Sequence, residues 1–208
     1  MSKNLFLFVF TFFTLSHSLA KADISIEPYI GLAIGGEGET NFGTLNQNGI
    51  ENNFSGIQFG SRVGYSTLGF TFGIDFSLGS ISVDSSNPST SFYAKSDNLK
   101  VNQTGIFVSY QLPILFRMWG TYFINANASG DDQVNLMEDQ LFDAADDFSS
   151  GSGIALGVGY TGLPFVSLNL EYRKLEYENY KVSDISSYNF KNFSINEIFL
   201  SVSLPLEF

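Results

Sequence analysis

The chain has 208 residues with 21 acidic against 10 basic side chains, one histidine and no cysteine. A net charge of −11 argues against nucleic acid, whose phosphates reward a basic face. The missing cysteines exclude disulfides and thiolate metal sites.

The first element is an address. Lys3 precedes an apolar run from Leu5 to Leu15, and Ala20-Lys21-Ala22 offers a small-x-small cleavage site. This reads as a secretory signal peptide over 1–22; the run is too short for a transmembrane helix. Removing it takes away Lys3, Lys21 and His17, so the domain 23–208 keeps eight basic residues against 21 acidic ones, a net charge of −13, and no imidazole. Histidine-dependent activation of a nucleophile is then excluded. A carboxylate pair is left as the acid–base option, and no spacing singles one out. The sequence therefore predicts no catalytic residue, no cofactor and no metal ligand.

Beyond residue 22, glycine and period-two patterning predict eight strands, at about 24–36, 55–66, 68–82, 103–112, 115–127, 152–161, 164–177 and 193–208. In the third, Leu68, Phe70, Phe72, Ile74, Phe76 and Leu78 alternate with Gly69, Thr71, Gly73, Asp75, Ser77 and Gly79. The seventh repeats the pattern, with Val166, Leu168, Leu170 and Tyr172 opposite Ser167, Asn169, Glu171 and Arg173. Tight Gly- or Pro-bearing turns at 66–69, 112–114 and 161–164 alternate with long polar links at 37–54, 83–102, 128–151 and 178–192. That alternation is expected of an up-and-down barrel with short turns at one end and long loops at the other. Pro28 and Pro205 fall inside the two strands that must close the barrel, where each removes a ladder donor. A weakly bonded seam is expected there. The last strand places Ile198, Leu200, Val202, Leu204, Leu206 and Phe208 on one apolar face and stops on the terminal aromatic.

A soluble barrel keeps oil inside, and a membrane barrel reverses this. The polar faces carry Gly31, Gly60, Gly64, Gly73, Gly105, Gly157 and Gly159 with Gln58, Ser77, Ser109, Gln111 and Asn169. Such small residues suit a crowded interior better than a water-facing surface rich in Lys and Glu, with Tyr29, Phe107, Trp119 and Phe123 as large fillers. The apolar faces are nearly free of charge, as hydrocarbon requires. Tyr65, Phe70, Tyr110, Phe116, Tyr160 and Phe208 lie on them beside the short turns; Phe59, Phe76, Tyr122 and Tyr172 lie about eight residues further up. At ~3.3 Å per residue and a tilt of ~40° the two belts stand roughly 20 Å apart.

In this register seven ionisable residues point inward: Glu27, Arg62, Asp75, Arg117, Glu171, Arg173 and Glu197. They are expected to form a barrel-interior polar network, because a lone buried charge is very costly. Arg62 and Asp75 flank one hairpin and are expected to meet diagonally across it. The network reads as a structural plug, with a narrow gated ion path as the sharper alternative. The link 128–151 carries Asp131, Asp132, Glu138, Asp139, Asp143, Asp146 and Asp147 without a basic residue. It departs from EF-hand spacing and reads as a solvated acidic loop.

The signal peptide, the eight strands, the alternating link lengths and the terminal Phe208 together resemble the small outer-membrane β-barrel superfamily, which includes the OmpA-type transmembrane domain and its OmpX-like relatives. The likeness covers all of 23–208 and is architectural, with no diagnostic local motif. It implies an all-β, eight-stranded antiparallel up-and-down transmembrane barrel, monomeric, in the outer membrane of a Gram-negative bacterium. Its implied partners are outer-membrane lipid and the barrel assembly machinery, which would read Phe208 as an assembly signal. The expected function is a non-enzymatic structural or surface-interaction role with specificity in the external loops. The alternatives are a small porin-like channel and, with less support, a histidine-independent lipid-modifying enzyme.

Overall fold

The computed structural model describes residues 23–39, 51–87, 92–129, 147–177, 179–182, 186–188 and 193–208. The signal peptide and most of the acidic link, 130–146, lie outside the described residues. The described residues form eleven strands: β1 (Asp23–Glu39), β2 (Glu51–Thr67), β3 (Phe70–Asn87), β4 (Phe92–Gln111), β5 (Phe116–Ser129), β6 (Asp147–Tyr160), β7 (Ser167–Tyr177), β8 (Asn179–Val182), β9 (Ser186–Tyr188), β10 (Phe193–Ser203) and β11 (Leu206–Glu207). Strands β1 to β7 pair antiparallel in chain order, and β10 pairs with both β7 and β1. That closes a wall of eight strands with no free edge. The short β8 and β9 prolong the β7–β10 hairpin at the loop end, and β11 continues the final strand along β1.

Chemistry explains the turn end. Thr67 faces Phe70, so Leu68-Gly69 is a two-residue hairpin turn with both φ values positive, 53° and 80°. This is the primed turn whose twist matches that of the flanking strands. The seam is better bonded than the prolines suggest. Leu204 donates to the Pro28 carbonyl at 2.9 Å, and Ile24 and Phe208 exchange both backbone bonds at 3.0 Å. Since the N and O of one residue point to the same side of a strand, Pro28 costs the seam one donor. Pro205 aims away from β1, towards a position beyond the start of β7. The loss is confined to one pair, with ladder above and below it.

The strands run further towards the loop end than their period-two pattern suggests. β3 and β4 form one hairpin up to the pair Asn87 and Phe92, so most of the expected link 83–102 is strand. β8 and β9 occupy part of 178–192. The reason is a reversal of the pattern within single strands. On β7 the side chains of Leu168, Leu170 and Tyr172 are exposed while Asn169, Glu171 and Arg173 are buried; two residues higher, Lys174 and Glu176 are exposed while Leu175 and Tyr177 are buried. The other strands turn over at matching heights. Phe54, Ile81, Val101 and Ile195 face inward there, with Ser55, Ser80, Lys100 and Asn196 on the outer side. The lower wall is a membrane barrel, and the short upper wall is an ordinary water-soluble one.

Candidate functional site

Among the described residues, charged side chains converge in the lumen, which is filled in two layers. The lower layer holds all seven ionisable residues singled out in the sequence. Arg62 and Asp75 sit directly opposite each other on β2 and β3, where a diagonal contact was expected; Arg62 Nε donates to Asp75 Oδ2 at 3.1 Å. Arg62 Nη2 also donates to Glu171 Oε2 at 2.7 Å, across the barrel on β7. The guanidinium lies between two rings, 4.9 Å from the Tyr29 centroid and 4.4 Å from that of Trp119. Tyr29 in turn donates its hydroxyl to Asp75 Oδ1 at 2.8 Å, and Trp119 donates Nε1 to Glu171 Oε2 at 2.6 Å.

Arg173 occupies the centre. Its Nε donates to Glu171, and its Nη1 reaches Gln58 at 2.6 Å, Gln103 at 3.2 Å and Glu197 at 3.4 Å. Its guanidinium stacks 3.8 Å from the Phe199 centroid. Nearer the turn end, Arg117 grips Glu27 with both Nη atoms, one at 2.6 Å. Ser203 donates to the same carboxylate at 2.5 Å, and Asn169 donates to Ser203 at 2.8 Å. Three guanidinium groups thus face four carboxylates. Buried charge is tolerable only when paired and hydrogen-bonded in this way.

The upper layer is apolar. Phe54, Ile81, Val101, Phe123, Ala126, Ala128, Ala155, Leu175, Tyr177 and Ile195 form one buried cluster. Phe123 is wholly buried, and the Arg173 guanidinium lies 5.7 Å from its ring centroid, where the two layers meet. Glycine lets the lower layer close up: a Cβ on Gly157 would sit 2.2 Å from the Trp119 ring. Sequence reasoning found Tyr29, Phe107, Trp119 and Phe123 as fillers, and all four are buried. It missed Phe54, Ile81, Leu175, Tyr177 and Ile195. Their signal was the same alternation, carried upward past the point where polarity reverses.

Gln111 is a rim residue, not a lumen one. Its exposed amide donates to the Leu112 and Phe116 carbonyls and to Thr161 Oγ1 at 3.1–3.3 Å, tying two turns together. On the outside, large apolar side chains are exposed around the whole lower wall. Such a surface cannot stand in water and is what hydrocarbon requires of a closed barrel. Among the described residues no group of three His, Cys, Asp or Glu side chains is arranged to hold a metal ion, and Asp131 to Asp146 lie outside them.

The geometry agrees with comparison to solved structures. No family model matches the chain, and no curated protein sequence matches it. The outer membrane protein OprG from Pseudomonas aeruginosa is similar over 90% of this chain and 97% of its own, at 11% identity and a TM-score of 0.54. Neisserial surface protein A (15% identity, TM-score 0.46) covers 88% of this chain and 98% of its own. The outer membrane protein AlkL, solved in lipid bilayers (13%, 0.46), covers 91% and 92%. The likeness to OprG is one of fold: this chain is built as an eight-stranded antiparallel up-and-down barrel with an apolar outer wall.

Proposed function

We propose that the protein is a sealed outer-membrane barrel, a rigid non-enzymatic scaffold that holds its loop end outside the cell for surface interaction. The observation that carries this reading is the doubly filled lumen, an ion-pair layer stacked against a buried apolar one. A porin-like path would need both to part. The loop end belongs outside because the long links gather there, and they are where a rigid scaffold places specificity. Glu171 accepts from Arg62, Arg173 and Trp119 together, which leaves it no open face for a substrate and supports a role without catalysis. The C-terminal strand ending at Phe208 is the segment offered to the barrel assembly machinery.

Planar-bilayer recording tests the seal. The wild-type protein should be silent, and Arg62→Ala should stay silent because the apolar layer still closes the lumen. Steady wild-type conductance would overturn the reading in favour of a channel. Mass spectrometry of lipid A from cells with and without the protein should show no change; a modified species would favour the lipid-modifying enzyme.

A further inference from the structure

The turn end carries apolar residues where a periplasmic rim has no need of them. Among the described residues, three that are not glycine adopt positive φ: Leu68 at 53°, Leu115 at 61° and Phe165 at 67°. One stands in each short turn. The left-handed region is unfavourable for such side chains, and Gly, Asn or Asp would enter it more easily. All three are nonetheless large, apolar and exposed, at 44%, 55% and 84%. The segments 66–70, 112–116 and 161–166 contain no Asp, Glu, Lys or Arg.

The conformations are built in. Gln111 donates its backbone N–H to the Gly69 carbonyl, and Thr161 donates to the Leu115 carbonyl, both at 2.8 Å. Each turn is thereby locked to the next around the rim. Just above them, Phe70 packs on Tyr110 at 4.5 Å and Phe116 on Tyr160 at 5.5 Å between centroids. An aromatic girdle marks where a barrel leaves hydrocarbon. Here Leu68, Leu115 and Phe165 carry apolar surface on past the girdle.

We infer that the three turns are a lipid-binding rim, lodged at the headgroup boundary of the periplasmic leaflet with Leu68, Leu115 and Phe165 against the glycerol-proximal part of the acyl chains. In water these residues would combine backbone strain with exposed hydrocarbon and gain nothing. Continuity with the lipid-facing wall and the lack of charge make lipid the occupant, ahead of a periplasmic protein or a second copy. The inference rests on the membrane-barrel reading and adds the depth to which it sits.

The absence of cysteine makes the test clean. Single spin labels at Leu115→Cys, Phe165→Cys and the mid-wall control Ile74→Cys are placed in phosphatidylethanolamine–phosphatidylglycerol vesicles. Their collision with oxygen is compared with that of a water-soluble nickel chelate. Labels at 115 and 165 should favour oxygen, by a smaller ratio than the mid-wall control because they sit shallower. If nickel dominates at 115 and 165 while Ile74 favours oxygen, the rim stands in water and the inference is wrong. Shielding from both reagents would mean a protein surface covers the rim, which also overturns it. If Ile74 itself favours nickel, the barrel reading falls first. Should Leu115→Cys fail to insert, Ile114→Cys reports the same turn without touching the left-handed backbone.

Discussion

The two halves of β7 obey opposite rules. Up to Arg173 the strand shows Leu and Tyr outward and charge inward; above it, Lys174 and Glu176 face out while Leu175 and Tyr177 face in. The backbone, the pairing partners and the twist continue through the reversal, so strand geometry does not decide which face is oily. The surrounding medium does. Hydrocarbon rejects the charge that water accepts, and the lumen takes what the outside refuses. The consequence is a lower layer held by ion pairs and an upper layer held by packing, and these should fail differently.

The largest difference should come from emptying the centre of the lower layer. Arg173→Ala removes the ion-pair partner that Glu197 has at 3.4 Å and one of those that Glu171 has. Leaving buried carboxylates uncompensated costs about 4 kcal/mol, measurable by urea unfolding from vesicles. Arg173→Met combined with Glu197→Gln should recover at least half of that loss, because the charges leave together. Phe123→Ala, one layer up, should cost about 3 kcal/mol as a cavity, with no charge-neutralising change able to restore it. Equal recovery at both sites would mean that the layers are not distinct.

A swap across the reversal should be smaller and sharper. Leu170→Lys puts an ammonium on the lipid face and should cost about 2–3 kcal/mol. Lys174→Leu makes the mirror change four residues higher. It breaks an exposed pair with Glu176 at 3.0 Å and should stay within about 0.5 kcal/mol. Comparable costs would place both residues in the same medium.

How far this was legible in the sequence follows from the same reversal. The lower wall announces itself: an uninterrupted series such as Phe70 to Leu78, with Gly and Ser between, has one reading once the terminal strand is seen. The inward register of Glu27, Arg62, Asp75, Arg117, Glu171, Arg173 and Glu197 follows from alternation alone. Their partners do not, because alternation fixes a face and not a height, and tilt decides that Arg62 reaches Glu171 across the barrel. Part of the upper wall, including Phe54 and Val101, reads as loop, since Lys100 and Asn102 on an outer face look like the polar residues of a link. Leu68, Leu115 and Phe165 resemble strand residues, and nothing in their composition signals a left-handed backbone.

The smallest contrast isolates packing from polarity. Gly157 and Gly120 lie on neighbouring strands, β6 and β5, one facing the lumen and one the lipid. A Cβ at Gly157 would meet the Trp119 ring at 2.2 Å, whereas at Gly120 the nearest atom is Leu156 Cδ2 at 3.6 Å, an ordinary contact. Gly157→Ala must push the indole off Glu171 and Arg62 or bend the strand, an overpacking cost of about 1–2 kcal/mol. Gly120→Ala adds a methyl to a surface already wetted by acyl chains and should change stability by less than about 0.5 kcal/mol. The same methyl is then costly on one side of the wall and free on the other. Trp119 fluorescence separates a moved indole from a bent strand: a shifted emission maximum for Gly157→Ala with an unchanged one for Gly120→Ala is the expected result. An unshifted maximum in both would mean that the backbone yields first.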